Sequence, residues 1–251
     1  MSDLQHHDPH QSWEAHYAAA RPVPDEPDEK TLAAVEVLRY LAAGGPVLEL
    51  AVGHGRVAIP LAASGLQVDG IDYSQRAIDL IAAHPQGSRV NASVADMSDF
   101  TLGRRYSLVY LVFNTISNLT TQDGQVACFE RAAAHLLPGG RFVIENGVPK
   151  LRSLPPGATT VPFTVRDGYV GLNEYTDLTH RQQFRSRHLH RRADGAFDET
   201  WLPFRFVWPA ELDLMARIAG MTLEDRWSGW TRGPYVSEST SAVSVWRVPE
   251  R

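Results

Sequence analysis

Two hydrophobic periods alternate along residues 31–145 of the chain. Short, nearly continuous apolar runs are typical of strands covered on both faces, and apolar residues recurring every three or four positions are typical of amphipathic helices. The predicted strands are residues 47–52, 66–71, 90–94, 107–113 and 141–145, and the predicted helices begin at residues 31, 56, 75 and 121. Strands that alternate with helices predict a parallel sheet with right-handed crossovers.

The pattern changes after residue 146. Four β-rich stretches, at 160–166, 169–178, 182–192 and 200–207, include Asp-Gly pairs between strand-like runs, a hairpin signal. A helix opening at Pro209 and two last strands, 221–227 and 242–248, follow. The prediction is an α/β fold: a seven-stranded, mostly parallel sheet with an antiparallel last strand, plus an antiparallel β insertion.

This pattern divides the chain into three parts. Residues 1–30 form an N-terminal arm or lid, residues 31–145 and 209–251 form the core, and residues 146–208 form the β insertion. Within the core, Pro60 falls in the second turn of its predicted helix, so we expect a local kink there. The arm carries several histidines without fixed spacing, for which a tail is favoured over a metal site.

Charge, cysteine content and hydrophobicity exclude several classes of function. The chain has 251 residues, 43% of them hydrophobic, and a net charge of -5, so no whole-molecule field favours nucleic acid or an anionic membrane. Its single cysteine, Cys128, excludes an internal disulfide and a cysteine-built zinc site. No apolar run is long enough to span a bilayer, and the polar N-terminus lacks a signal-peptide core. We therefore expect a cytoplasmic protein without a bound metal; a homodimer remains open.

A glycine turn follows the first strand. Residues 53–58 satisfy the G-x-G-x-x-G/A fingerprint, and Asp72 follows at the end of the second strand. Glycines let the backbone approach a ligand, and a carboxylate at that point accepts ribose hydroxyls, which suits NAD and S-adenosylmethionine (SAM) alike.

Glu49 distinguishes between these two ligands. It lies inside the first apolar strand, where a buried carboxylate costs several kcal/mol unless it is paired. An NAD pyrophosphate beside it would add repulsion, whereas SAM offers an ammonium and a sulfonium. A purely structural pairing of Glu49 with a backbone amide or with Arg56 is the alternative.

At this point the sequence resembles the class I SAM-dependent methyltransferase family over residues 31–248. The matching segments are residues 47–55, Asp72 with its neighbours 70–74, Asp96-Met97, and residues 136–145. The reversed final strand matches as well, and the fold implied is Rossmann-like. Ala51 departs from the pattern, because many members have glycine there. The layout, with its insertion after the fifth strand, is similar to sugar-amine N-methyltransferases that act on nucleotide-linked amino sugars.

The resemblance implies a set of cofactor contacts. Glu49 and the backbone of Ala51, Gly53 and Gly55 would hold the methionine part of SAM, Asp72 the ribose, Tyr73, Asp96 and Met97 the adenine, and Phe113 and Asn114 the reacting end. Tyr17, in the arm, is at the position where such enzymes often close a lid. The product would be S-adenosylhomocysteine (SAH).

Acceptor residues follow from geometry, because ligands of open parallel sheets lie beyond the carboxyl ends of the strands. Glu145 is the candidate for orienting or deprotonating a small-molecule acceptor, against the alternative that it caps the strand. Asn146 and, more weakly, Tyr235 are substrate-binding candidates. Arg181, Arg185, Arg187 and Arg191 share one parity, for which a solvated strand face is favoured over phosphate recognition. Phe184 and His188 lie on the opposite face and are expected to point at the acceptor or at the parallel sheet.

The predicted function is SAM-dependent methyl transfer to an oxygen or nitrogen of a small molecule. An NAD-dependent oxidoreductase and a non-catalytic SAM-binding protein are the alternatives. An absent acceptor pocket above Phe113 would favour the latter.

Overall fold

The computed structural model describes residues 14, 17, 23–24, 26–151 and 154–250. The helices are α1 (Glu29–Ala42), α2 (Ala58–Ala63), α3 (Gln75–Ala83), α4 (Gln122–Ala134) and α5 (Pro209–Ile218). The strands are β1 (Val47–Leu50), β2 (Val68–Asp72), β3 (Val90–Val94), β4 (Tyr106–Leu111), β5 (Leu136–Gly147), β6 (Thr160–Arg166), β7 (Tyr169–Asp177), β8 (Gln183–Arg191), β9 (Phe197–Arg205), β10 (Thr222–Trp227) and β11 (Ser241–Arg247).

Seven strands form one sheet in the order β10-β11-β5-β4-β1-β2-β3. The strands from β1 to β5 pair in parallel, and β11 pairs antiparallel with both β5 and β10. The predicted fold class is therefore confirmed, including the reversed strand. The order reverses between β1 and β4, and such a switch point leaves a crevice at the carboxyl ends of the strands.

Both faces of this sheet are covered. Val47 and Leu108 face a core shared with α1 and α2, while Leu48 and Val109 face a core shared with α4 and α5. Successive residues of a strand point to opposite faces, which explains why the parallel strands are continuous apolar runs in the sequence.

Two local predictions were wrong. The second helix begins at Ala58, so Pro60 lies in its first turn, where a backbone N–H has no intrahelical partner and no kink is needed. The fifth strand begins at Leu136 rather than 141, because β5 runs through the Pro-Gly-Gly segment with a register shift against β4.

The insertion is a separate four-stranded antiparallel sheet, β6-β7-β8-β9, which we call the roof sheet. Both Asp-Gly turns join its strands as predicted, with Gly168 and Gly195 at positive φ. Arg185 and Arg187 share one face, where Arg185 stacks on Trp201 and Arg187 pairs with Glu199. The solvated-face prediction holds only in part, because both side chains are half-buried and Nε of Arg185 is buried without a hydrogen-bond partner among the described residues. Arg181 precedes β8.

Among the described residues, no helix is long and apolar enough to cross a membrane. Nor do these residues contain a group of three or more His, Cys, Asp or Glu side chains that could hold a metal. The histidines at positions 6, 7, 10 and 16 lie outside the described residues.

Candidate active site

A cavity of about 1030 Å³ lies between the carboxyl ends of the parallel strands and the roof sheet. All but two of the site residues predicted from the sequence line it. These are Tyr17, Glu49, Ala51, Gly53, Asp72, Tyr73, Asp96, Met97, Phe113, Asn114, Glu145 and Asn146. The exceptions are Gly55 and Tyr235.

Glu49 is almost fully buried at the floor of this cavity. Tyr110 donates its hydroxyl to Glu49 Oε2 at 2.7 Å. Burial raises the pKa of Glu49 to about 8, against the lowering effect of the Tyr110 hydrogen bond and the Arg56 charge. The carboxylate form is therefore under-compensated in the free protein, and a cationic ligand would compensate it.

Asp72 ties the end of β2 to the glycine turn. Its Oδ2 accepts from the amide of Gly53 at 2.8 Å, and its Oδ1 accepts from the amide of Ser74 at 2.9 Å. Burial raises the pKa of Asp72, although these backbone amides act in the opposite direction. The side chain lines the cavity, so a ligand hydroxyl can reach it as a further donor.

Gly53 lies against the side chain of Tyr17. Its φ is +56°, and a Cβ at this position would lie 2.9 Å from the hydroxyl oxygen of Tyr17. Burial, with Asp72 and Glu49 nearby, raises the pKa of Tyr17 well above its usual range. Tyr17 therefore presents a neutral phenol to the cavity.

Gly55 has a packing role instead of lining the cavity. A Cβ there would lie 2.7 Å from Cδ1 of Ile59, so glycine allows α2 to approach the turn. Ala51, by contrast, lines the cavity with a φ of 50°, a left-handed conformation that glycine adopts without strain. Alanine at this position therefore carries the strain of a left-handed backbone, about 1–2 kcal/mol, which the glycine of other family members avoids.

Asp96 and Met97 follow β3. The backbone amide and the hydroxyl of Ser98 both donate to Asp96 Oδ1, each at 2.7 Å. These bonds fix the carboxylate beside Met97, which is mostly buried. The pair lines the cavity on the side of β3, away from the roof strands.

Beyond the end of β4 the backbone turns sharply. Phe113 and Asn114 both have positive φ, at 59° and 60°. The Asn114 side chain accepts from the amide of Gly147 at 2.9 Å, which joins this turn to the end of β5. The turn leaves the Phe113 ring 70% exposed, facing the cavity.

Glu145 lies beside that turn, and both of its carboxylate oxygens are occupied. Oε1 pairs with the ammonium of Lys30 at 2.7 Å, and Oε2 accepts from the amide of Phe113 at 2.9 Å. Lys30 was not identified from the sequence, where its position at the start of a helix gave no signal. These contacts support the strand-capping alternative for Glu145.

Asn146 is fully buried and lines the cavity next to Glu145. Its Nδ2 donates to the carbonyl of Gly147 at 3.2 Å, while Oδ1 has no hydrogen-bond partner among the described residues. Tyr235, in contrast, lies under the guanidinium of Arg226 and does not line the cavity, so we do not retain it.

The roof contributes seven further described residues to the cavity, of which only Phe184 and His188 were expected from the sequence to face the acceptor or the parallel sheet. The seven are Phe163, Asn173, Phe184, Ser186, His188, Leu202 and Phe204. The two nitrogens of His188 contact the Tyr169 hydroxyl at 2.7 Å and the Ser186 hydroxyl at 3.1 Å. Alternation along β8 places Phe184 and His188 opposite the arginines, as expected, and the same alternation along β9 is the signal that could have found Leu202 and Phe204.

A carboxylate-bearing first strand, a glycine turn, acidic residues after the second and third strands and a reversed last strand define a SAM-dependent methyltransferase core. A family model described as a methyltransferase domain matches residues 47–140. The CcbJ methyltransferase from Streptomyces caelestis is 33% identical, with 97% of this chain and 100% of that chain covered at a TM-score of 0.82. The chain belongs to the class I SAM-dependent methyltransferase family, so the NAD alternative is discarded.

Two curated relatives are also similar. The cypemycin N-terminal methyltransferase of a Streptomyces species is 28% identical over 206 residues, which is 80% of this chain and 82% of that protein. The dTDP-3-amino-3,6-dideoxy-alpha-D-glucopyranose N,N-dimethyltransferase of Streptomyces fradiae is 37% identical over 110 residues, 43% of this chain and 42% of that protein.

The raised pKa of Glu49 predicts that SAM binding releases a proton. At pH 7 the free protein holds Glu49 mostly protonated, since its pKa is about 8, and a bound cation favours the carboxylate. We expect about one proton released per SAM at pH 7, and an affinity that increases as the pH approaches 8. Calorimetry in buffers of different ionisation enthalpy measures this number. In Glu49→Gln the number of protons released should fall to near zero. An unchanged number in that variant would show that Glu49 is not the group that loses the proton.

Proposed function

We propose that this enzyme methylates an amine nitrogen of a small-molecule acceptor bound beneath the roof sheet. The observation that carries the proposal is the pairing of Glu145, the carboxylate beside Phe113. Lys30 and the amide of Phe113 occupy its two oxygens, so neither is open to deprotonate a hydroxyl. The names of the two curated relatives, both N-methyltransferases, support the same acceptor atom.

The floor of the cavity fits SAM. We assign Glu49 to its ammonium, Asp72 to the ribose hydroxyls and Asp96, beside Met97, to the adenine amino group. When bound, SAM supplies a methyl group whose bond to sulfur breaks as the acceptor nitrogen attacks, leaving neutral SAH and a methylated ammonium that later loses a proton to solvent. The chain's part in this reaction is to align the two ligands and exclude water.

His188 and Tyr17 also line the cavity and could in principle act as bases. Both nitrogens of His188 have hydroxyl partners, and Tyr17 stays neutral because its pKa is raised. A hydroxyl acceptor needs a base to become a good nucleophile, whereas an unprotonated amine needs correct placement alone. The site therefore suits an amine.

Asn146 Oδ1 fits the same acceptor. A buried carbonyl oxygen without a partner costs about 1–3 kcal/mol, which a ligand donor would recover. An amine can donate one N–H to this oxygen and keep its lone pair for the methyl group. A hydroxyl in the same place would keep its proton, because an amide oxygen is too weak a base to remove it.

The cavity extends from Phe113 to the roof sheet, so there is room for an acceptor above Phe113. This argues against a non-catalytic SAM-binding protein, for which we expected no such pocket. A cytoplasmic location and a homodimeric assembly stay predictions.

Replacement of Glu145 by glutamine tests the assignment. We expect Glu145→Gln to keep amine turnover within about tenfold of the parent, because a positioning group loses far less than a general base, whose removal costs about 10²–10⁴-fold. SAH formation is measured across amines, phenols and carboxylates, with SAM affinity as the control for folding. Turnover confined to phenols or carboxylates, and abolished in Glu145→Gln, would overturn the proposal.

A further inference from the structure

We infer that the acceptor is an amine carried on an apolar, ring-containing body without phosphate, and that this body packs against the inner face of the roof sheet. The inference rests on the proposed function and extends it by naming a substrate class. It differs from the dTDP-linked sugar in the name of one curated relative.

The inner face of the roof is built for apolar contact. Phe184 and Phe204 stack on neighbouring strands with ring centroids 5.2 Å apart and an interplanar angle of 17°. Leu202 continues this surface, and all three side chains line the cavity. An aromatic or alicyclic ring lying on such a face gains both buried area and ring contacts.

Phe163 extends the surface across β7. A Cβ added to Gly171 would lie 2.4 Å from Cζ of Phe163, so the ring occupies the space that a side chain at Gly171 would fill. The ring is still 46% exposed, although it lines the cavity. Its free area is therefore available to a ligand.

The charges that a nucleotide would need are not on this face. Among the described residues that line the cavity, the lysine is Lys30 and the arginine is Arg56. Both lie on the floor of the cavity and not on the roof. Lys30 already pairs with Glu145, and Arg56 donates to the Thr31 hydroxyl at 2.8 Å.

The arginines of the roof cannot supply these charges either. Arg185 and Arg187 point away from the cavity and contact Trp201 and Glu199. A diphosphate bound against the roof would lack the forked donors by which proteins recognise phosphate. The roof therefore selects for a body without phosphate.

The test compares two probes that share an amine and an aromatic ring, tyramine and O-phosphotyramine, on the enzyme saturated with SAH. Loading with SAH prevents turnover, and ligand-observed NMR titration gives each dissociation constant. We expect tyramine to bind saturably and O-phosphotyramine to bind at least tenfold more weakly, because the described roof residues that line the cavity include no lysine or arginine to pair with the phosphate. This comparison needs no variant, so it does not depend on a mutant that folds.

A matched pair of variants locates the site. Phe184→Ala should weaken tyramine binding by about tenfold, as expected for loss of an aromatic contact. Phe197→Ala makes the same change on the same sheet, at an exposed position outside the cavity, and should leave binding unchanged.

Three results would overturn the inference: no tyramine binding, equal or tighter binding of O-phosphotyramine, or equal effects of the two variants. These results are distinguishable from failure of the proposed function, which would appear as SAM turnover on phenols or carboxylates but on no amine.

Discussion

Replacing Arg205 by methionine is expected to lower the free energy of unfolding by about 3–5 kcal/mol, the cost of leaving a buried partner unpaired. Arg205 is 3% exposed at the end of β9. It donates to the side chains of Gln125 on α4, Gln182 before β8 and Glu211 on α5. It therefore fastens the roof sheet to the core helices, and methionine would fill its volume without serving any of these acceptors.

The loss should depend on pH through Glu211. Burial raises the pKa of this carboxyl, but hydrogen bonds from Arg205, Gln182 and Gln122 outweigh burial and hold the pKa below its usual value. The paired carboxylate therefore contributes stability above its unfolded pKa, and this contribution is lost as the pH falls through the lower, folded value. We expect the difference between parent and Arg205→Met to be largest near pH 7 and to shrink in acid.

Urea denaturation near pH 7 and in acid measures the difference in unfolding free energy between the parent and Arg205→Met. Arg187→Met is the matched control. Arg187 pairs with Glu199 on the exposed face of the roof, where an ion pair contributes at most about 1 kcal/mol. If the two variants lose the same free energy, Arg205 does not fasten the roof.

The parallel core was predictable because strands that are buried on both faces are continuous apolar runs in the sequence. Val47 to Leu50 and Tyr106 to Leu111 are nearly continuous apolar runs. Glu49 interrupts the first of them and Asp72 ends the neighbouring strand β2, and both side chains line the cavity. A carboxylate inside such a run is costly without a partner, so its presence already indicated a cationic ligand.

Contacts between segments that are distant in the sequence correspond to no local pattern and could not be predicted in this way. The pairing of Lys30 with Glu145 joins residues from the start of α1 and the end of β5, and no local pattern predicts it. For a related reason, the sequence left open whether Phe184 and His188 face the acceptor or the parallel sheet. Alternation in β8 separates Phe184 from Arg185, but which face meets the cavity depends on how the roof docks, and Arg205 and its partners fix that docking.

Asp72 gives the second large effect expected: Asp72→Ala should weaken SAM binding by about 1–3 kcal/mol, or roughly 5–150-fold, through loss of charge-assisted bonds to the ribose. Asp69→Asn is the matched control. Asp69 lies three residues earlier in β2, is also buried and accepts the hydroxyl of Tyr106 at 2.7 Å, but it does not line the cavity. Its replacement should lower stability and leave SAM affinity unchanged, as read by calorimetry.

Because Asp72 also accepts from the amides of Gly53 and Ser74, its loss could weaken SAM binding by loosening the glycine turn alone. A double-mutant cycle separates the two causes. The parent and Asp72→Ala are each titrated with SAH and with its 2′-deoxy analogue, which lacks one ribose hydroxyl. If the carboxylate binds the ribose, removing the hydroxyl costs affinity in the parent and much less in the variant. If the two losses are equal, Asp72 only shapes the turn, and the ribose assignment fails even though SAM affinity has dropped.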